Sequence, residues 1–377
     1  MPNQPETPVS LRTAATCTRR AFAARAGALG AALALLAGAP LVAGCVREKT
    51  EGSGAAGQGD AASEPATSST FAFDTYCTFS IYGDDAAPAL LARECARYDG
   101  LFDLYDAESD IARVNAAGGA PTQVDPATAE VVERALTFCA EADGRFDITI
   151  GAVSRLWDFE EGVRPTDEEV AAALAHVDWR GVTVDTTDPT APTITLADPA
   201  AALDLGGIAK GFIADKLVET LRAETDATAA IISLGGNIVC WGEKPDGTAW
   251  SVGVRDPNDP GGTATVGTAR LSVGAGEAVS LVTSGLYERT FELDGVTYWH
   301  ILDPATGMPV ATDTASVTVV SPSSTQADAL STTLFVDGSV RGAEVADAYD
   351  DTAAYFILTD GTVRESARWD ALTDFEA

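Results

Sequence analysis

The amino-acid sequence predicts an α+β fold of mixed, largely antiparallel sheets with packed helices. Three observations carry that expectation. From residue 71 onward, segments with strand periodicity and segments with helix periodicity interleave along the chain. Asp294-Gly295 separates two β-forming runs, a strong signal for an antiparallel hairpin. Hydrophobic residues make up 46% of the 377, an ordinary share for a globular protein with a real core. No internal repeat is visible.

The elements follow in order. Residues 71–82 alternate and stop at Gly83-Asp84-Asp85, which marks a strand. In 88–101, Leu90, Leu91, Cys95 and Tyr98 recur at helical spacing, with Pro88 near the first turn. Asp125-Pro126 opens a helix running to about 142, with Asp125 as N-cap and Pro126 at the first helical position. Thr166-Asp167-Glu168-Glu169 begins another in capping-box form. Residues 182–184 and 194–196 are short strands around a Pro- and Asp-rich turn, and 209–221 is a helix entered through Gly206-Gly207. Strands are expected at 230–234, 250–254, 278–283 and 289–293, the last paired with 296–302 across Asp294-Gly295. A β-branched strand at 314–320, a helix at 325–336 and a strand at 353–358 complete the chain.

The first seventy residues read as an address. Thr18-Arg19-Arg20-Ala21-Phe22 precedes a run of Ala, Leu and Gly over 26–42, so residues 1–44 are expected to be a signal peptide. Twin arginines before Phe resemble a Tat signal. Val42-Ala43-Gly44-Cys45 resembles a lipobox, whose cleavage leaves Cys45 to carry lipid. The alternative is a plain membrane anchor, for which the run is short and Gly-rich. Residues 45–70 are mostly Gly, Ala, Ser, Glu and Thr without an apolar period, which predicts a flexible tether. Residues 71–377 are the expected folded part. The expected location is the extracytoplasmic side of the cell membrane, through the lipid anchor.

The formal net charge is −32. That argues against nucleic acid, since neutralising phosphates takes an excess of Lys and Arg. It leaves room for a nucleotide held by one local basic group and a metal; a solubility bias is the plainer account of the acidity. Of six cysteines, Cys17 and Cys45 lie in the leading segment, and Cys77, Cys95, Cys139 and Cys240 are scattered without CxxC spacing, so a zinc site is not expected. Their pairing stays open. Two histidines, His176 and His300, exclude a histidine-rich metal site.

Three constellations carry chemistry. In Leu203-Asp204-Leu205-Gly206-Gly207-Ile208-Ala209-Lys210-Gly211 a strand end meets two glycines and then a helix bearing a lysine. Free backbone N–H groups, a close approach allowed by Gly and a nearby cation make a phosphate cradle; a simple tight turn is the alternative. His300-Ile301-Leu302-Asp303-Pro304-Ala305-Thr306-Gly307 sets a histidine at a strand end before a braced loop, either to shuttle a proton or to cap the strand. In Asp328-Ala329-Leu330-Ser331-Thr332 a carboxylate and a hydroxyl share one helix face, which suits a hard cation such as Mg²⁺; Asp328 near the helix start and Thr332 on its own backbone is the alternative.

In this order, these segments resemble the ApbE-type FAD:protein FMN transferases. The resemblance runs from about Phe71 to Tyr355. It takes in Tyr105, Ser109-Asp110-Ile111-Ala112-Arg113-Val114-Asn115, Gly144-Arg145-Phe146-Asp147-Ile148-Thr149, Trp157, Leu234-Gly235-Gly236-Asn237 and Thr283-Ser284-Gly285 beside the three constellations. It implies an ApbE/T-fold-like architecture, as a single large domain or two intimately packed subdomains. It implies that Asp204 and Lys210 contact FAD. Phe73, Tyr105, Arg145, Phe146, Asp147 and Leu302 would line the FAD site. Mg²⁺ would lie between the Gly207 carbonyl, Asp328, Thr332 and the FAD diphosphate. Lys210 and Asp328 are then catalytic, and His300 is the candidate for deprotonating the acceptor hydroxyl. The implied reaction moves FMN from FAD to a Thr or Ser of an exported acceptor flavoprotein, in a membrane or extracytoplasmic electron-transfer system, with release of AMP. Phe73-Asp74-Thr75 departs from the family's frequent Met-Gly-Thr, and Asn237 stands where Asp is common. An FAD pyrophosphatase and a lipid-anchored flavin-binding protein are the alternatives.

Overall fold

The computed structural model describes residues 64–259 and 261–377. The expected signal segment and Cys45 lie outside the described residues. The chain opens with β1 (Ala66–Ala72) and β2 (Thr75–Tyr82), then α1 (Ala87–Phe102), α2 (Asp110–Ala116), β3 (Thr122–Gln123), α3 (Pro126–Glu141), α4 (Gly151–Ser154) and α5 (Asp167–Leu174). Next come β4 (Val182–Asp185), β5 (Thr193–Leu196), α6 (Ala209–Glu224), β6 (Ala229–Leu234), β7 (Asn237–Trp241), β8 (Trp250–Arg255), β9 (Thr265–Leu271) and β10 (Ala278–Gly285). The hairpin strands β11 (Thr290–Leu293) and β12 (Val296–Trp299) precede β13 (Thr314–Ser321), α7 (Ser324–Ala346), β14 (Ala353–Leu358), β15 (Val363–Glu365) and α8 (Trp369–Thr373).

The α+β expectation holds, and the local signals act where they stand. Asp125 accepts from the Ala127 N–H at the start of α3, and Thr166 and Glu169 form both halves of the capping box of α5. Asp294 and Gly295 both have positive φ, 53° and 77°, as a two-residue turn matched to the strand twist requires.

One expectation needs correction. The tether was to reach residue 70, but residues 66–70 belong to β1, which pairs antiparallel with β2 from Ala66↔Ile81 to Ala72↔Thr75. Small and hydroxyl side chains resemble linker composition, yet on an edge strand only alternate residues need cover, and the ladder itself supplies the order.

Eight strands form one antiparallel sheet in the order β1-β2-β6-β7-β10-β13-β14-β15. Alternation sends neighbouring residues to opposite faces. On one face Phe79, Ile81, Ile232 and Leu234 pack with Leu91, Phe212 and Leu217 of α1 and α6. Further along that face Val282, Val317, Val319 and Phe356 meet Leu330, Leu334 and Phe335 of α7. The other face buries Cys240, Leu281, Tyr355 and Ile357 beneath the β8–β9 hairpin and Trp369. Among the described residues, no helix is long and apolar enough to cross a membrane. Cys77, Cys95, Cys139 and Cys240 are buried and carry no disulfide.

Candidate functional site

The site begins where α6 and α7 cross. A Cβ on Gly211 would stand 2.2 Å from the Ser324 carbonyl oxygen and 2.6 Å from the Asp328 Cβ, so only glycine lets these helices approach this closely. The Gly211 N–H, in the first turn of α6, donates to Asp328 Oδ2 at 2.8 Å. No side chain of the preceding segment caps α6, so Asp328 performs that task from another helix. The N-terminus of α7 is tied back in turn: Asp215 of α6 accepts from Ser324 N at 2.9 Å, Thr325 N at 3.0 Å and Thr325 Oγ1 at 2.7 Å.

One turn further along α7, Thr332 reaches the glycine pair before α6. A Cβ on Gly207 would meet Thr332 Oγ1 at 3.1 Å and Phe146 Cε2 at 2.9 Å. The absence of a side chain at Gly207 therefore leaves its backbone beside the hydroxyl. Thr332 Oγ1 donates a long 3.4 Å bond to the Asp328 carbonyl, which engages its proton and none of its lone pairs. Burial raises the Asp328 carboxyl above the usual range, with Lys210 acting against that and Asp215 adding to it. A buried carboxylate, a hydroxyl and a peptide carbonyl are an all-oxygen donor set, which fits a hard divalent cation. Among the described residues no group of three or more His, Cys, Asp or Glu gathers for a metal. A site with one carboxylate is consistent with that, because Mg²⁺ commonly takes its other oxygens from water and phosphate.

Asp204 is fixed just before the turn. Its Oδ1 accepts from Gly206 N at 2.8 Å and its Oδ2 from Ser154 Oγ at 2.6 Å. The Asn115 side chain clamps Leu203 through both backbone groups, at 2.6 and 2.9 Å. The Lys210 ammonium donates to the Gly206 carbonyl at 3.3 Å and acts on both Asp328 and His300.

His300 follows β12. Its Nδ1 is shut off from solvent without a hydrogen-bond partner, and Phe159 meets its ring edge-on at 6.5 Å. Burial, then Arg289 and Lys210, push its pKa down to about 3, so the imidazole is neutral near pH 7. An orphaned buried nitrogen is costly in isolation and leaves a hydrogen-bonding position open to a ligand. By contrast His176 pairs with Asp198 at 2.7 Å on the surface.

The remaining sequence candidates surround this centre unevenly. Phe146 walls the Gly207 turn. Arg145 points its Nε to Asp337 of α7 at 3.4 Å. Tyr105 is 74% exposed, with Asp204 and Arg289 among its charged neighbours. Phe73 and Asp74 occupy the tight β1–β2 turn, both at positive φ (55° and 56°), where a non-glycine backbone is strained. The Phe73 N–H donates to Asp99 at 3.0 Å. Leu302 is buried with Val153, Trp157 and Val170 under the loop after β12. Asp147 turns inward: Thr149 N and Oγ1 donate to one oxygen at 2.8 and 2.5 Å and Trp179 N to the other at 3.2 Å, while burial raises its pKa. Its carboxylate braces the turn that presents Phe146.

Sequence reasoning passed over Asp215, Asn115 as a clamp, and Arg289. Counting outward from the Asp294-Gly295 turn pairs Arg289 with His300, a signal that was present in the hairpin itself.

This arrangement defines a class of protein: an α+β scaffold that brings a buried acid, a hydroxyl, a glycine pair and a lysine to one helix crossing. The matching family model is the ApbE family, over residues 73–356. The chain is 40% identical over 278 residues to the FAD:protein FMN transferase of Treponema pallidum (strain Nichols), covering 69% of this chain and 74% of that one. It is 33% identical to that of Klebsiella pneumoniae (strain 342), covering 73% and 83%. Among solved structures, the ApbE protein of Thermotoga maritima superposes with a TM-score of 0.72 at 29% identity, covering 82% of this chain and 99% of that one. The chain belongs to the ApbE family.

Proposed function

We propose that this chain transfers FMN from FAD to a Thr or Ser hydroxyl of an acceptor protein, making a phosphoester and releasing AMP with the help of Mg²⁺. The observation that carries the reading is the meeting of Gly207, Asp328 and Thr332 at the helix crossing, within electrostatic reach of Lys210, whose charge also bears on His300. The curated relatives carry the same activity in their names.

Asp328, Thr332 and the Gly207 carbonyl would hold Mg²⁺. Once bound, the ion supplies Lewis-acid stabilisation of diphosphate charge. Lys210 binds the diphosphate and offsets its charge. Neutral His300 accepts the proton of the attacking hydroxyl. Phe146, and the exposed ring of Tyr105, give the flavin dinucleotide apolar surfaces to lie against. Asp204, held by Ser154 and Gly206, orients the turn that the diphosphate approaches.

The address in residues 18–45 supports an exported enzyme held by lipid on Cys45, which places its acceptor among extracytoplasmic flavoproteins. A Cys45→Ser variant is expected to leave the membrane fraction; one that stays there refutes the anchor.

The transfer is tested by mixing the purified chain with FAD, Mg²⁺ and exported flavoproteins from the same genome, and weighing each acceptor. A gain of one FMN on an acceptor hydroxyl, with matching AMP, is expected. AMP and free FMN formed at the same rate with no acceptor labelled would instead assign a pyrophosphatase. Flavin retained without AMP would assign a binding protein.

A further inference from the structure

The antiparallel register of β11 and β12 pairs Thr290 with Trp299 and Phe291 with Tyr298. One step outward, Arg289 stands opposite His300, whose N–H donates to the Arg289 carbonyl at 3.2 Å. Opposed residues of an antiparallel pair project from the same face, with their Cβ atoms roughly 5 Å apart. Two residues along, that face carries the stacked rings of Phe291 and Tyr298, 5.3 Å apart. Phe159 packs on Phe291 at 5.7 Å and stacks on Trp157 at 5.7 Å, so the face is held by an aromatic wall. Arg289 is thus placed by the hairpin beside His300, and its charge also bears on Tyr105.

The ion pair of Arg289 among the described residues is with Asp74, at 3.6 Å, with both side chains half-exposed. So long and wet a pair leaves the guanidinium able to exchange Asp74 for a better anion. The chain is strongly acidic, with a net charge of −32, and still sets Arg289 and Lys210 on His300 from two different elements.

We propose that Arg289 binds the phosphate adjoining the flavin and holds it beside His300. This rests on the flavin-transfer reading above and adds a binding residue to it. The planar guanidinium takes two non-bridging phosphate oxygens side by side, a geometry an ammonium cannot reproduce. In the transfer the acceptor oxygen bonds to that phosphorus as the P–O bond to AMP breaks. The hydroxyl proton passes to His300, AMP leaves with the bonding electrons, and Arg289 keeps its two oxygens throughout.

FMN and riboflavin differ only in this phosphate, so their binding to the full chain, read by quenching of flavin fluorescence, isolates the claim from turnover. Arg289→Gln is expected to weaken FMN at least about tenfold and leave riboflavin unchanged. Arg289→Lys, which keeps the charge and guards against a folding defect, is expected to fall between. FMN binding unchanged in both variants, or FMN and riboflavin weakened equally, overturns the assignment. A wild-type chain that shows this Arg289-dependent preference for FMN yet never labels an acceptor would sink the transfer reading and leave Arg289 in place. A wild-type chain that binds neither flavin sinks both.

Discussion

The carboxylate of Asp328 accepts a 2.8 Å hydrogen bond from the backbone of Gly211, 117 residues earlier in the chain. This bond joins the glycine-pair turn to the helix that carries the acid and the hydroxyl. Its first consequence concerns Gly211 itself. A Cβ there would lie 2.2 Å from the Ser324 carbonyl oxygen, a backbone atom that has nowhere to go. Gly211→Ala is expected to lower stability by about 3 kcal/mol, measured by urea unfolding. A change near zero would mean the helices do not cross this closely.

Asp328 itself is a compromise between folding and chemistry. Burial raises its carboxyl, so keeping it ionised at neutral pH opposes folding. A group raised in this way stabilises most below its ordinary range and loses that contribution as pH rises through its folded pKa. Asp328→Asn is therefore expected to melt at or above the wild type without metal, and to gain nothing from Mg²⁺. The wild type is expected to gain several degrees from Mg²⁺ at pH near 7. Equal metal-induced shifts in both proteins would place the ion elsewhere.

Asp215 predicts a purely architectural effect. It gathers four donors at the start of α7: Ser323 Oγ, Ser324 N, Thr325 N and Thr325 Oγ1. Asp215→Ala strands them and should cost about 2–3 kcal/mol in urea unfolding, with the residual folded protein binding Mg²⁺ less well because Asp328 lies in the next turn. A loss under about 0.5 kcal/mol would show that water replaces the carboxylate freely.

His300 gives a pH signature. Its pKa is depressed from 6.5 to about 3, chiefly by burial and then by Arg289 and Lys210. The unfolded chain binds the proton first, so the contribution of His300 to stability is complete above pH 6.5 and falls away as pH drops towards 3. His300→Phe should flatten this stretch of the stability curve relative to wild type. Parallel curves would mean the imidazole is not buried as described.

The elements with their own local chemistry were the legible ones. The N-cap at Asp125, the capping box at Thr166 and the turn at Asp294-Gly295 each act within four residues, and each stands where the pattern put it. The pairing of Asp328 and Thr332 on one face was legible for the same reason. Their meeting with Gly207 was not, because it depends on a helix crossing set by tertiary packing; only the ordered resemblance pointed to it. The start of β1 was missed because edge-strand residues need little hydrophobicity. Helix α7 was expected to end at Val336; in the structure a non-helical Gly338, with φ of 77°, interrupts it, and the helix resumes to Ala346. Asp147, a residue the resemblance implies for the site, also accepts bonds from Thr149 and from the distant Trp179, a contact no local pattern reveals.

Asp328, Thr332 and the Gly207 carbonyl would hold the cation on which FAD turnover is proposed to depend. The direct measurement is AMP release from FAD by the full chain, with Mg²⁺ or with chelator, for wild type and Asp328→Ala. The account predicts that chelator abolishes AMP release by the wild type and that the variant falls at least about a hundredfold at every Mg²⁺ concentration. A variant that releases AMP as fast as the wild type, with the same dependence on Mg²⁺, would contradict it.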